Sequence, residues 1–201
     1  MPQPIPTDHG KWGIMGGAFD PIHFAHLILA EQARKSFNLQ GVLFIPSHTP
    51  PHRDTEPVAS FEQRLKMVRF AIADNDYFAA SGMEKDIEGP SYTHTLVKRL
   101  KRDYPEIEWH LILGSDNIAI FDKWHKPHEI VEMVKVIVGR RPGYEKELNS
   151  SHWAKDIEQF DMPLLDKSST YIRRAIKNGR SVRYMLPESV RKYIISEGLY
   201  R

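Results

Sequence analysis

From Lys11 onward, short apolar runs alternate with segments in which apolar residues recur every three or four positions, the pattern of parallel strands joined by crossover helices. Lys11–Met15, Gly41–Ile45, Phe78–Met83, Trp109–Leu113 and Lys135–Val138 read as strands. Between the first two, Leu27, Ile28, Leu29, Ala30 and Ala33 crowd a helix that begins near His23, with Asp20 and Pro21 as its start signals. Ser60 and Gln63 make a capping box for a second helix. Its apolar positions Phe61, Leu65, Met67, Val68 and Ile72 read as core rather than as a cofactor site. A third helix is predicted from Thr93 to about Tyr104, with Leu96, Val97 and Leu100 inward and the charge run Lys98, Arg99, Lys101 and Arg102 on a solvated face.

Toward the C-terminus, the hydroxyls of Ser168, Ser169 and Thr170 suit the start of a helix ending at Gly179, and Pro187 opens another that stops at Gly198. The stretch Gly139–Phe160 is more polar and weakly patterned, so it is expected to hold an insertion or a loosely attached subregion. There is no internal repeat, and no linker is long enough to separate domains. The expected architecture is α/β: one doubly wound Rossmann-like domain over residues 11–201, with a mostly parallel sheet and a small C-terminal helical portion. A proline-rich mobile leader is expected over residues 1–10. Ligand is expected outside the carboxyl ends of the strands.

Composition narrows the chemistry. With 201 residues, 41% hydrophobic and 27% charged, the chain can bury a core and is neither disordered nor fibrous. Lys and Arg exceed Asp and Glu by 28 to 26, which argues against a dedicated nucleic-acid binder and leaves room for a local anion site. The absence of cysteine removes disulfides, thiolate nucleophiles and Cys-ligated metals. The N-terminal segment lacks the basic start and apolar run of a signal peptide, and no apolar stretch approaches the roughly 20 residues that span a bilayer. The expectation is a cytoplasmic protein acting on small molecules, with no nucleic-acid or membrane partner; a homo-oligomer is compatible with the sequence.

The most informative segment is Gly16-Gly17-Ala18-Phe19-Asp20-Pro21-Ile22-His23-Phe24-Ala25-His26, where the first strand turns into the first helix. It is neither a Walker A loop nor a GxGxxG fingerprint. Two glycines let the backbone approach a ligand, the helix start presents unpaired N–H groups, and His23 and His26 share a face at i, i+3. All three features suit a phosphate. The positive end of the helix is expected to hold both imidazoles neutral, as N–H donors. A chance His pair and a metal pair are the competing readings, and no sequence-local third ligand completes a metal set.

Other segments carry similar choices. Ser168-Ser169-Thr170 with Arg173 one turn along can grip a polyphosphate or simply cap a helix. Asp116, in Gly114-Ser115-Asp116-Asn117 after the most apolar strand, can bond ribose hydroxyls, help hold Mg²⁺ or cap the next helix. Trp124 offers a flat face for a ring, or fills the core.

The glycine-histidine segment resembles the G-G-x-F-D-P-x-H-x-G-H signature of the nucleotidyltransferase superfamily, with Ala25 in place of the usual glycine. The remaining motifs resemble one branch, the nicotinate-nucleotide adenylyltransferases: Pro50-Pro51-His52-Arg53, Gly89-Pro90-Ser91-Tyr92-Thr93, Gly114-Ser115-Asp116-Asn117 with Trp124, Arg140-Arg141-Pro142-Gly143, Ser168-Ser169-Thr170-Tyr171-Ile172-Arg173 and Gly198-Leu199-Tyr200. The segment Ser91–Leu96 is one residue shorter than the family's S-Y-T-x-x-T-L.

The resemblance implies transfer of an adenylyl group from ATP, with Mg²⁺, to nicotinate mononucleotide, giving nicotinate adenine dinucleotide and pyrophosphate in NAD biosynthesis. His23, His26 and Arg173 would be catalytic. Gly16, Gly17, Ala18, Phe19, Asp116, Ser168, Ser169, Thr170 and Arg173 would bind ATP. Tyr92, Thr93, Trp124, His52 and Arg53 would bind the mononucleotide, with the backbone amides of Tyr92 and Thr93 at a helix start receiving the nicotinate carboxylate. A sister transferase using nicotinamide mononucleotide, pantetheine phosphate or a cytidylyl substrate, a non-catalytic nucleotide sensor, and a metal-dependent hydrolase built on His23, His26, His48 and His52 are the alternatives.

Overall fold

A computed structural model describes residues 9–50, 57–140, 151–163 and 168–201. Six parallel strands form one sheet in the order β3-β2-β1-β4-β5-β6: β1 (Gly10–Gly17), β2 (Gly41–Pro46), β3 (Phe78–Ala80), β4 (Ile107–Gly114), β5 (Lys135–Arg140) and β6 (Ile157–Asp161). The helices are α1 (Phe24–Ser36), α2 (Phe61–Ala71), α3 (Thr93–Asp103), α4 (Ser115–Ile118), α5 (Pro127–Met133), α6 (Ser169–Lys177) and α7 (Glu188–Ser196).

The two-residue period of the strands sorts side chains to two cores, one on each face of the sheet. Val42, Phe44 and Ile112 join α1, α2, α6 and α7 through residues such as Leu29, Val68, Ile172 and Val190. Leu43, Ile45, Leu111 and Leu113 point the other way, into a core with Leu96, Leu100, Ile130 and Trp153. Helices therefore cover both faces, as the alternating pattern requires. At Gly139, an added Cβ would collide with the Leu29 side chain, so the glycine lets α1 lie close over β5.

Three expectations need correction. The third strand ends at Ala80, not Met83, because Met83–Asp86 turns into a 3₁₀ helix whose Met83 N–H bonds the Ser81 hydroxyl. The expectation for Gly139–Phe160 needs correction at both described ends: Gly139 and Arg140 complete β5, and residues 151–160 lead into β6, whose Ile157 and Phe160 are buried, while residues 141–150 lie outside the described residues. β6 looks polar because, as an edge strand, it buries one residue on each face, Ile157 in one core and Phe160 in the other, and exposes Glu158 and Asp161. Finally, β1 begins at Gly10, inside the span expected for the leader, pairing there with Ile107.

Candidate active site

Strand order reverses between β1 and β4, and at their carboxyl ends opens a cleft of ≈ 400 Å³. This is where ligands dock in doubly wound sheets. Of the expected site residues, the cleft gathers Gly16, Gly17, Ala18, Phe19, His26, Tyr92, Thr93, Asp116, Trp124 and Ser169. His52 and Arg53 lie outside the described residues.

The opening turn is held in an uncommon conformation. Phe19 adopts φ +48°, in the left-handed region, at a cost of about 1–2 kcal/mol for a side chain of this kind. It is 2% exposed, its ring edge-on to His26 at 5.1 Å and tilted against Phe44 at 5.9 Å. Gly16 is the opposite case: a Cβ built there meets nothing within 4 Å. No packing contact demands glycine at that point, so the space in front of it is the cleft itself.

His23 is the N-cap of α1, with extended backbone, and is 3% exposed. It is expected among the catalytic residues but is not one of those that line the cleft. Its position before the first helical residue tucks the ring behind His26, the two stacked with centroids 3.8 Å apart. His26, at the third helical position, is partly exposed and lines the cleft. Its Nδ1 accepts the His23 backbone N–H at 3.3 Å.

At α6, Ser168 is an N-cap whose hydroxyl accepts the Tyr171 N–H at 3.2 Å, while the Ser169 hydroxyl donates to the Pro21 carbonyl at 2.9 Å. Arg173 sends Nη1 to the Asp20 carbonyl at 2.8 Å and Nη2 to the Thr170 hydroxyl at 3.3 Å. Its Nη1 also lies 3.7 Å from the Asp20 carboxylate. The arginine expected to reach straight for a polyphosphate is thus anchored on the β1–α1 turn. A guanidinium has five N–H donors, so this anchoring leaves capacity for an anion.

Sequence reasoning passed over the residue at the centre of these bonds. Asp20, read only as a helix start signal, is 1% exposed. Its carboxylate accepts the backbone N–H groups of Val58 and Ala59 at 2.9 and 3.1 Å, and the Tyr200 hydroxyl at 2.7 Å. Arg64, also buried, donates to the carbonyls of Ala18 at 2.7 Å and Ala59 at 3.2 Å. An arginine and an aspartate on the apolar side of a turn are signals in hindsight: neither is buried without partners.

The other side of the cleft is aromatic. Tyr92 is the N-cap of α3, and its ring stacks on His125 at 4.4 Å; His94 meets His125 edge-on and bonds Glu129 at 2.8 Å. Trp124 packs on Phe121 at 5.1 Å, and its buried Nε1 has no hydrogen-bond partner among the described residues. Glu84, 4% exposed, also lines the cleft. Burial pushes its carboxyl above the usual range, against opposing hydrogen bonds from Ser91 and the His48 N–H. Among the described residues, no group of three or more His, Cys, Asp or Glu side chains could hold a metal ion, and no helix is long and apolar enough to cross a membrane.

Residues 14–175 match the cytidylyltransferase-like family. Over nearly full length, the chain is 41% identical to a protein of Moorella thermoacetica, covering 97% of this chain and 94% of that one. It is 37% identical to one of Lachnoclostridium phytofermentans, covering 94% and 98%. Both carry the name "Probable nicotinate-nucleotide adenylyltransferase". The chain belongs to the nicotinate-nucleotide adenylyltransferase family.

The fold agrees. The Plasmodium falciparum nicotinic acid mononucleotide adenylyltransferase, solved in complex with NaAD, superposes with a TM-score of 0.78 at 19% identity, covering 96% of this chain and 98% of that one. The cytidylyltransferase-like match stops at residue 175, so α7 and Tyr200 lie beyond it.

Proposed function

We propose that this protein catalyses adenylyl transfer from ATP to nicotinate mononucleotide, yielding nicotinate adenine dinucleotide and pyrophosphate. One observation carries the reading: a single cleft joins a phosphate-type turn, Gly16–Phe19 with His26, to an aromatic wall containing Tyr92 and Trp124. A dinucleotide-forming reaction needs that pairing, since one substrate brings the triphosphate and the other a flat pyridine ring.

In the proposed reaction, a 5′-phosphate oxygen of the mononucleotide forms a bond to the α-phosphorus of ATP as the bond from that phosphorus to the α–β bridging oxygen breaks. Pyrophosphate carries away the electron pair. No covalent enzyme intermediate is needed, because the attacking group is already anionic. Placement is the main task, and holding both anions in line can supply about 7–11 kcal/mol. Each donor fixed on developing phosphoryl charge adds roughly 3–4 kcal/mol.

His26 is assigned the α-phosphate, with His23 setting the ring behind it. The Gly16–Phe19 backbone and the start of α6 at Ser169 cradle phosphate oxygens. Arg173 balances the β- and γ-phosphate charge. Asp116 is assigned to the ATP ribose, and Trp124 and Tyr92 to the nicotinate side, with the backbone at Thr93 receiving the carboxylate. A divalent cation, Mg²⁺ in this proposal, would shield the triphosphate charge, and Asp116 at the carboxyl end of β4 could join in holding it. A cytoplasmic setting belongs to the same proposal and rests on the cysteine-free composition.

The test is pyrophosphate release from ATP and Mg²⁺ with a panel of acceptors: nicotinate mononucleotide, nicotinamide mononucleotide, pantetheine phosphate and none. Release chiefly with the first is expected. Release with pantetheine phosphate alone would move the protein to a sister activity, and ATP binding without release to any acceptor would make it a sensor.

A further inference from the structure

We infer that Tyr200 is a positioning residue for the transfer, acting through Asp20 on the phosphate-binding turn and on Arg173. This inference rests on the adenylyl-transfer reading, and it concerns a residue 180 positions from the aspartate it touches.

The Tyr200 hydroxyl donates to Asp20 Oδ1 at 2.7 Å in a fully enclosed setting, with Tyr200 6% and Asp20 1% exposed. Burial, and next the Asp20 charge, push the phenol well above its ordinary titration range, so it stays a donor at every pH at which the enzyme would work. The two carboxylate oxygens are divided among distinct elements. Oδ1 takes the Ala59 N–H and the phenol; Oδ2 takes the Val58 N–H and faces Arg173. The Asp20 carbonyl takes Arg173 as well.

Asp20 thus has little freedom, and its immediate neighbours are the reason this matters. Phe19, in its left-handed conformation, carries the ring that meets His26. Pro21 offers the carbonyl that holds Ser169. Both are lining residues of the cleft, or bonded directly to one. Without the phenol, Oδ1 keeps the Ala59 N–H among the described residues, and the buried carboxylate gains by shifting toward the guanidinium of Arg173, which Oδ2 already faces. Arg173, held by the Asp20 carbonyl and facing that carboxylate, would then shift relative to the turn.

Strain is the second line of support. Tyr200 itself sits at φ +65°, a left-handed conformation unfavourable for a tyrosine and maintained while its ring is buried in the core shared with α7. A merely apolar anchor would be served by phenylalanine; among the described residues the hydroxyl has one partner, the carboxylate of the catalytic turn.

The experiment compares Tyr200→Phe with wild type, alone and in an Arg173→Ala background, reading kcat, KM for each substrate, ATP Kd by calorimetry and Tm. Expected are a roughly tenfold fall in kcat and a rise of similar size in the ATP Kd, with KM for nicotinate mononucleotide within twofold. In the Arg173→Ala background the same change should add less than twofold. Wild-type kcat and ATP Kd in Tyr200→Phe would overturn the inference, as would equal losses in both backgrounds, which would mark general loosening. If Tyr200→Phe fails to fold, site-specific fluorotyrosines of graded acidity replace it: kcat that tracks phenol acidity supports the role, and a flat series overturns it. A wild type that binds ATP but transfers to no acceptor would count against the reaction while leaving the Kd comparison to decide the role of Tyr200; one that binds no ATP would sink both.

Discussion

The Nδ1 atom of His26 accepts the backbone N–H of His23, and the two rings lie face to face across 3.8 Å. An accepting Nδ1 carries no proton, so in neutral His26 the proton belongs on Nε2. The start of α1 thereby chooses the tautomer, and in the proposed reaction Nε2–H is the ring donor that meets the α-phosphate. His23 contributes through its backbone donor and its stacked face, which gives the pair a division of labour that spacing alone does not reveal.

Replacing His26 by Ala should therefore lower kcat by about 10²–10³, the range for losing one donor aimed at developing negative charge. The stability cost should stay under about 2 kcal/mol, as for loss of a helix cap. His26→Gln restores an N–H and should recover some of the rate. Pyrophosphate release measured on folded protein decides the matter: turnover within threefold of wild type for His26→Ala would remove it from the chemistry. His23→Ala, by contrast, should lower Tm as well as rate, because its ring is buried.

Gly16 provides a cleaner probe, since a methyl group there touches no protein atom. Gly16→Ala should change unfolding free energy by no more than about 0.5 kcal/mol, as at an ordinary surface position. The methyl would occupy the space a phosphate needs to meet the backbone, so ATP Kd should rise at least tenfold. Unchanged ATP affinity, measured by calorimetry, would place the triphosphate elsewhere.

The contrast between Gly16 and Asp20 shows what the amino-acid order could and could not disclose. Period-two and period-3.6 patterns are local, so β1, β2, β4, β5 and the main helices were legible, as were the Ser60–Gln63 box and the Ser168 cap. The edge strand β6 was hidden because it has no uninterrupted apolar run, only Ile157 and Phe160 turned inward. At the site, residues that meet a ligand through a local motif were readable. Those whose role depends on partners far along the chain were not: Asp20 with Val58, Arg173 and Tyr200, Arg64 with Ala18, Glu84 with His48. For the same reason the buried position of His23 escaped notice, since a His-x-x-His spacing is identical whether the first ring caps the helix from inside or faces the cleft.

Trp124 lines the cleft while resting on Phe121, so truncation removes a flat wall without opening the centre of either core. Trp124→Ala should raise KM for nicotinate mononucleotide at least tenfold, consistent with a stacking contribution of about 1–3 kcal/mol per ring. KM for ATP should move less than threefold. Steady-state kinetics with each substrate varied in turn separates the outcomes: equal increases in both would make the tryptophan a general support.

Glu84 links the cleft to pH. Burial raises its carboxyl from the ordinary value of 4.5, so the folded chain holds this proton more tightly than the unfolded chain does. Between the unfolded and folded pKa values the folded state binds more protons, and stability must fall as pH rises through that interval. The favourable contribution is complete below the unfolded value and gone above the folded one, where the buried group is charged in both states. Glu84→Gln keeps an amide able to bond Ser91 and the His48 N–H while removing the titration. Its Tm relative to wild type should therefore climb as pH is raised above about 4.5, and level off once wild-type Glu84 has ionised. Thermal melts of the two proteins from pH 4 to 8 provide the comparison, and parallel curves across that range would show that the carboxyl ionises as freely in the fold as in water.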